Sequence, residues 1–165
     1  SSLFVMLYII YAFRNIDQAY LYAIAAIITL IHDVFVVMGL FIILSLFLGS
    51  TVNSIFIVGI LTVIGYSVND TIVIFDRLRE NITLNKSMEY LSVVNKSVME
   101  SVTRSLGTSI TTSMVILAML LFGGQSLRDF LIVLLLGVVI GTYSSIFVAS
   151  NIMLVWRYGL RKKSN

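Results

Sequence analysis

The sequence predicts an all-α polytopic membrane protein, a single transmembrane domain over residues 1–165 with five spanning helices. Of the 165 residues, 59% are hydrophobic and 12% are charged, whereas an ordinary soluble domain is about 25% charged. The mean hydropathy is +1.03, and apolar runs approach the roughly 20 residues that a spanning helix needs. Lysine and arginine gather in alternate connections between those runs, as the two sides of a membrane require.

Five apolar stretches are the candidate spans, and they cover residues 2–13, 22–48, 53–75, 105–122 and 130–156. Ten of the eleven Lys and Arg residues lie in segments 14–21, 76–104 and 157–165. The other is Arg128, in a connection on the opposite side. By the positive-inside rule the ten face the cytoplasm or its equivalent. We therefore expect the N-terminus outside and the C-terminus inside.

The segment 76–104 is the one sizeable loop that this pattern predicts. From Ser87 onward its apolar residues recur at helical spacing: Met88, Leu91, Val94, Val98 and Val102. This spacing indicates an amphipathic helix that lies at the inner interface and runs into the fourth span. A partner-docking surface is the alternative.

Polar residues interrupt the third span. At about 100° per residue, Tyr66, Asn69 and Asp70 share one arc, and Asp70 lies roughly 26 Å from the outer end of the span. Lipid cannot satisfy a carboxylate, so this arc must face protein or water. Arg104 opens the fourth span at a similar depth, and Thr108 continues its face. Asp70 and Arg104 are then either a buried ion pair that fixes helix register or a proton relay, because burial disfavours the charged carboxylate and a nearby arginine favours it.

Two further groups stand out in the apolar spans. His32 and Asp33 lie near the midplane of the second span, and a structural hydrogen-bonded role is favoured for them over a protonation role. In the last span, Gly137, Gly141 and Ser145 follow one another at intervals of four residues. Small residues at that spacing predict a close helix-packing seam.

Several classes of function are disfavoured by the sequence. Without cysteine there is no disulfide or thiolate metal site, and no nucleophile, metal cluster or phosphate-binding loop is evident. The net charge of +3 is too small and scattered for nucleic-acid binding. We therefore expect no enzyme, no metal and no cofactor, with protons as the coupling ion if Asp70 and Arg104 form a relay.

At residues 64–81 the stretch IGYSVNDTIVIFDRLREN resembles the signature of SecF, the smaller partner in the SecD–SecF protein-export complex. The similarity continues in AIAAIITLIHDV before it, and in TRSLGTSITTSMVILAMLLFGGQSLRDF and GVVIGTYSSIFVAS after it. One departure is ASNIML, where the family usually has a proline after its small residues.

The resemblance implies a half of the resistance-nodulation-division (RND) fold, with these helices as the family's spans two to six. The family's first span and its extracytoplasmic domain, which is thought to grip the substrate, would be absent. Asp70 would be the membrane carboxylate and Arg104 its partner in proton transport. His32 and Asp33 match the HD pair of the preceding span. Asn69, Tyr66 and Thr71 match the motif that surrounds Asp70.

The implied partners are a SecD-like protein, a SecY-type translocon, membrane lipids and, indirectly, an unfolded polypeptide. The implied location is a bacterial cytoplasmic (inner) membrane or an organelle membrane of bacterial origin. The function would be assistance of export by the proton-motive force. Two alternatives stay open: a structural scaffold subunit derived from SecF, and half of a proton-coupled RND-type transporter for small molecules or lipids.

Overall fold

The computed structural model describes residues 19–49, 52–85 and 87–163, and every regular element in these ranges is helical. The long elements are α1 (Ala19–Leu48), α2 (Ser54–Leu84), α3 (Tyr90–Phe122), α4 (Arg128–Ser144) and α5 (Ser150–Lys163). A turn of 3₁₀-helix, Gln125–Leu127, precedes α4, and a π-helical stretch, Ser145–Ala149, joins α4 to α5. The predicted all-α class is confirmed for this part of the chain.

Within the described ranges, four helical segments are long and apolar enough to cross a membrane: Tyr20–Phe47, Ser54–Leu84, Tyr90–Phe122 and Gln125–Trp156. They overlap the second to fifth of the predicted stretches. The first predicted stretch, residues 2–13, lies outside the described residues. At 1.5 Å per residue α2 is about 46 Å long, which exceeds a hydrocarbon core of about 30 Å. The ends of α2 and α3 therefore project beyond the apolar layer.

The segment 76–104 forms a helical hairpin. Residues 76–84 continue α2, and residues 90–104 are the first turns of an uninterrupted α3. The buried side chains of those turns are Val93, Val94, Ser97 and Ser101. Met88 and Leu91, two residues of the predicted apolar face, are exposed. α3 approaches α2 through small serine side chains as well as valines.

Local signals fix the turn between α1 and α2 without any proline. Gly49 ends α1 with a φ of 67°, a left-handed conformation that glycine adopts without steric cost. Its backbone N–H donates to the Ser45 carbonyl at 2.9 Å. At the start of α2, the Asn53 side chain accepts a hydrogen bond from the Phe56 N–H at 2.9 Å.

α2 and α4 form the centre of the bundle, since each contacts α1 and α3 as well as the other. Apolar clusters fill the two ends of the bundle: one surrounds Phe75 near the α2–α3 hairpin, and others surround Val63 and Leu131 toward the opposite end. Between them lies a layer of buried polar side chains. Its members are Thr29, Asp33, Ser67, Asp70, Thr71, Ser105, Ser109, Thr142, Ser144 and Ser145.

Candidate functional site

Asp33 is the hub of the buried polar layer. Its carboxylate is fully buried and accepts hydrogen bonds from the Ser144 hydroxyl at 2.6 Å and from the Ser67 hydroxyl. The His32 Nδ1 lies 3.0 Å from its other oxygen. Two hydroxyl donors and the imidazole nitrogen surround the carboxylate, which joins α1 to α2 and α4. This geometry is that of a structural anchor.

A second hydrogen bond joins α2 to the π-helical stretch that follows α4, where the hydroxyl oxygens of Thr71 and Ser145 lie 2.9 Å apart. Both are fully buried. Ser145 begins the π-helical stretch, where the widened turn moves the chain off regular α-helical register. Ser144, which donates to Asp33, and Ser145, which contacts Thr71, are consecutive residues. Their hydrogen bonds therefore hold the end of α4 against α1 and α2 at one level.

The seam of small residues lies along the same helix contact. A Cβ added to Gly137 would come within 2.8 Å of the Val63 Cβ, and one added to Gly141 would lie 3.3 Å from the Ser67 Cα. The structure thus places both glycines against α2, in line with Ser145. A side chain at position 137 would overlap Val63, and one at position 141 would crowd the Ser67 backbone, so glycine suits both positions in this helix contact.

Asp70 occupies a different environment from Asp33. It is 6% exposed and faces α3, where the Ser105 hydroxyl and the Arg104 guanidinium are the groups that act on its carboxyl. In the part of the chain that the structure describes, however, neither the Asp70 Oδ2 nor the Ser105 Oγ meets a partner at hydrogen-bonding geometry. The carboxylate is buried but incompletely satisfied.

Arg104 is exposed on the surface of α3. No ion pair joins it to Asp70 among the described side chains, although the two helices pack together. Its charge reaches the carboxyl through space. A modest change in the α2–α3 packing or in the Arg104 rotamer would therefore change the electrostatic environment of Asp70.

A chain of hydroxyls continues from Ser105 toward the other end of the bundle. The Tyr66 hydroxyl lies 3.0 Å from the Ser109 Oγ, and Ser109 also contacts the Thr142 hydroxyl. Thr142 in turn donates to the Val138 carbonyl at 2.8 Å. The hydroxyl of the half-buried Tyr66 therefore adjoins the buried polar layer.

Two of the residues predicted to support the site lie outside this layer. Asn69 is exposed, and so is Thr108, whose hydroxyl donates to carbonyls of its own helix at 2.9 and 3.0 Å. The buried serines were not predicted from the sequence. One signal was available for those on α3, since residues 97, 101, 105 and 109 are all serine at helical spacing.

A charged cluster closes the α2–α3 hairpin. The Arg77 Nε donates to Glu100 at 2.7 Å, and the Asn81 amide donates to Glu100 at 2.8 Å and to Ser97 at 3.0 Å. The hydrogen bonds from Asn81 and Arg77 hold the pKa of Glu100 below its ordinary value. The same pairing raises the pKa of Arg77. The described residues include no group of three or more His, Cys, Asp or Glu side chains arranged to hold a metal ion.

These features define a class of protein: a polytopic helical membrane protein whose core carries a polar layer with one anchored and one incompletely satisfied carboxylate. The profile of the family described as "Protein export membrane protein SecD/SecF, C-terminal" matches residues 1–159. The chain belongs to this family, and the resemblance to SecF is confirmed.

Curated relatives agree with this assignment. The chain is 44% identical over 156 residues to the protein translocase subunit SecF of Thermobaculum terrenum, covering 94% of this chain and 49% of that protein. It is 41% identical over 160 residues to SecF of Anaerolinea thermophila, covering 96% of this chain and 52% of the relative. The chain therefore spans about half the length of the curated relatives it matches.

Solved structures give the same result for the fold. A SecDF crystal structure in a super-membrane-facing form superposes with a TM-score of 0.87 at 35% identity, covering 99% of this chain and 21% of that one. SecDF from Thermus thermophilus, described as a translocon-associated membrane protein, superposes with a TM-score of 0.80 at 37% identity, covering 93% and 20%. The helical arrangement is thus that of part of SecDF.

Proposed function

We propose that this chain is the membrane part of a SecF-type subunit that assists protein export through a SecY-type channel at the expense of the proton-motive force. Asp70 carries the proton, and Arg104 controls its charge. The observation that carries the proposal is the incomplete hydrogen bonding of a buried carboxylate in a chain of the SecD/SecF family. A carboxylate in low dielectric that lacks donors is poised to take up a proton, and one charge crossing 100 mV releases about 2.3 kcal/mol.

We place the α2–α3 hairpin on the cytoplasmic side of a bacterial inner membrane or of an organelle membrane of bacterial origin. Arg77, Arg79, Lys96 and Arg104 belong to that end, whereas Arg128 opens α4 at the other end. The positive-inside rule then sets the orientation. Residues 2–13 would supply a fifth span that begins outside, and α5 would end inside.

A SecD-like protein is the proposed partner, and the exposed polar side chains support it. At about 100° per residue, measured from Asp70 on α2 and from Ser105 on α3, these side chains lie on the side of the α2–α3 pair opposite α4. They are Thr62, Asn69, Arg104, Thr108 and Thr111, all exposed. The threonine hydroxyls donate to carbonyls of their own helices, but lipid cannot satisfy the Asn69 amide and the Arg104 guanidinium at this depth. A second helical subunit covering this strip would bury Arg104 beside Asp70 and complete the site.

The test is Asp70→Asn in the full protein, assembled with its SecD-like partner and reconstituted with a SecY-type channel in vesicles. We expect the proton-dependent part of export to fall at least tenfold while the complex still assembles. Asp76→Asn is the matched control, because Asp76 is an exposed carboxylate on the same helix. It should export normally.

A scaffold function is the second candidate, and the hydrogen bonds by which Asp33 joins three helices favour it. If Asp70→Asn assembles and exports as well as the parent protein, the relay is wrong and the scaffold function stands. A third candidate, a half-transporter, would need a substrate site. The groove of about 490 Å³ between α3 and α4 is lined almost wholly by apolar side chains, such as Ile110, Met114 and Phe147. A lining of this kind suits contact with the acyl chains of membrane lipids.

A further inference from the structure

A row of serines runs along α3 at intervals of four residues: Ser97, Ser101, Ser105 and Ser109. None is more than 7% exposed. Residues four apart lie on one face of a helix, so the hydroxyls form a continuous polar line about 18 Å long at 1.5 Å per residue. The line joins the α2–α3 hairpin to the polar layer in the middle of the bundle.

The hydrogen bonding of the row is different at Ser105. Ser97, Ser101 and Ser109 each donate to the carbonyl four residues earlier, at 2.7 to 2.8 Å. The Ser105 hydroxyl makes no such bond. It lies close enough to the Asp70 carboxyl to interact with it, but neither the Ser105 Oγ nor the Asp70 Oδ2 meets a partner at full hydrogen-bonding geometry among the described residues. Buried polar atoms whose hydrogen bonds are incomplete are the setting in which a small polar molecule binds.

The other end of the row reaches charged groups that water can contact. Ser97 accepts a hydrogen bond from Asn81, and Asn81 also donates to Glu100. The Glu100 side chain is 31% exposed and is paired with Arg77. The hydroxyl row therefore begins beside the partly exposed Arg77–Glu100 pair and ends at Asp70, a carboxylate whose hydrogen bonding is incomplete.

Close packing alone does not account for serine at these positions. Alanine would let α3 approach α2 as closely, and it would avoid the cost of burying a hydroxyl. A hydroxyl that donates to its own helix keeps its acceptor lone pairs, which can receive a hydrogen bond from water. The row thus provides hydrogen-bonding positions all the way to Ser105.

We propose that Ser97, Ser101 and Ser105 form the route by which water from the hairpin end reaches Asp70, and that Asp70 and Ser105 together bind a water molecule. The proposal deepens the proton-relay function and rests on it for its consequence, the delivery of protons. The water route itself can be measured without reference to export.

The first measurement is proton flux in vesicles that hold the full complex. Asp70→Asn should abolish the flux, and Ser105→Ala and Ser101→Ala should each lower it at least fivefold. Ser113→Ala is the control, because Ser113 lies on the same row one turn beyond Ser109, outside the proposed route, and should leave the flux unchanged. If Asp70→Asn abolishes flux while Ser105→Ala and Ser101→Ala do not lower it, the route is wrong and the relay stands. An equal loss in Ser113→Ala would assign the effect to helix packing and would also overturn the route.

The second measurement is access of Ag⁺, a cation close to water in size, to single cysteines. The natural chain has none, so Ser101→Cys and Ser105→Cys need no further changes to it. In vesicles with the hairpin end outward, Ag⁺ should react with each of these two cysteines and block its later labelling by a maleimide. The rate of this block should be at least tenfold higher than the rate for Ala149→Cys. Ala149 is fully buried in the apolar cluster near the hairpin. Rates no faster than the control would overturn the route even if Asp70→Asn leaves export unchanged.

Discussion

The Ser144 hydroxyl donates a hydrogen bond of 2.6 Å to Asp33, a fully buried carboxylate 111 residues earlier in the chain. Ser67 donates to the same oxygen, so one side chain joins three helices. Asp70 lies on the next helix with an oxygen that has no such donor in the described structure. The two carboxylates therefore meet opposite requirements. A satisfied charge fixes the helices, and an unsatisfied one can change its protonation without dismantling them.

The anchor role of Asp33 predicts the effect of Ser144→Ala. Removing the hydroxyl leaves a buried carboxylate one donor short, so we expect the free energy of unfolding to fall by about 1–3 kcal/mol. Ser45→Ala is the control, since its hydroxyl is outside the buried layer and donates only to the Ile42 carbonyl. It should change stability by no more than about 0.5 kcal/mol. Thermal unfolding in detergent measures both, and equal shifts would contradict the anchor.

The seam between α2 and α4 predicts a steric result for Gly137→Ala. The added Cβ would overlap the Val63 side chain, so overpacking should destabilise the fold by about 1–3 kcal/mol. Gly39→Ala is the matched control, because nothing lies within 4 Å of the Cβ it would add. It should be neutral or stabilising by up to about 1 kcal/mol from helix propensity. Val63→Ala combined with Gly137→Ala should recover part of the loss, and a purely additive double variant would contradict the contact.

Periodicity and polarity in the sequence were enough to predict the helical class and the positions of four apolar helices, whereas the family followed from the resemblance of the motif around Asp70. The burial of Asp70 also followed, because a carboxylate inside an apolar run must face protein or water. These are local properties of a helix. They depend on spacing and on transfer free energy, which a sequence displays directly.

Tertiary partners were not predictable in the same way. That Asp33 pairs with Ser144 depends on how α1 and α4 pack, and nothing within either helix encodes the match. The contact surface of the hairpin was not predictable for a related reason. Contact between α2 and α3 uses small hydroxyl side chains such as Ser97, which apolar spacing does not single out. Hydrophobicity alone ranks serine as a surface residue.

The hairpin cluster predicts a pH dependence. Hydrogen bonds from Asn81 and Arg77 lower the pKa of Glu100 in the folded protein. A lowered carboxyl pKa gives stability that is fully present above the unfolded value of about 4.3 and is lost as the pH falls through the folded value. Glu100→Gln should therefore lower the thermal midpoint near pH 7 and should converge with the parent protein at acidic pH. A constant difference between the two proteins from pH 7 to acid would contradict the linkage.

Arg104 provides the prediction that separates function from folding. Its side chain is exposed, and no ion pair involving it is found in the described part of the chain. Arg104→Gln should therefore change the stability of the purified chain by no more than about 0.5 kcal/mol. In the assembled complex the same variant should lower proton-dependent export at least tenfold, because it removes the charge that acts on Asp70. Lys96→Gln, which neutralises another exposed cation of α3, should leave export intact. A loss of stability that matches the loss of export would assign Arg104 to packing, and normal export would remove it from the relay.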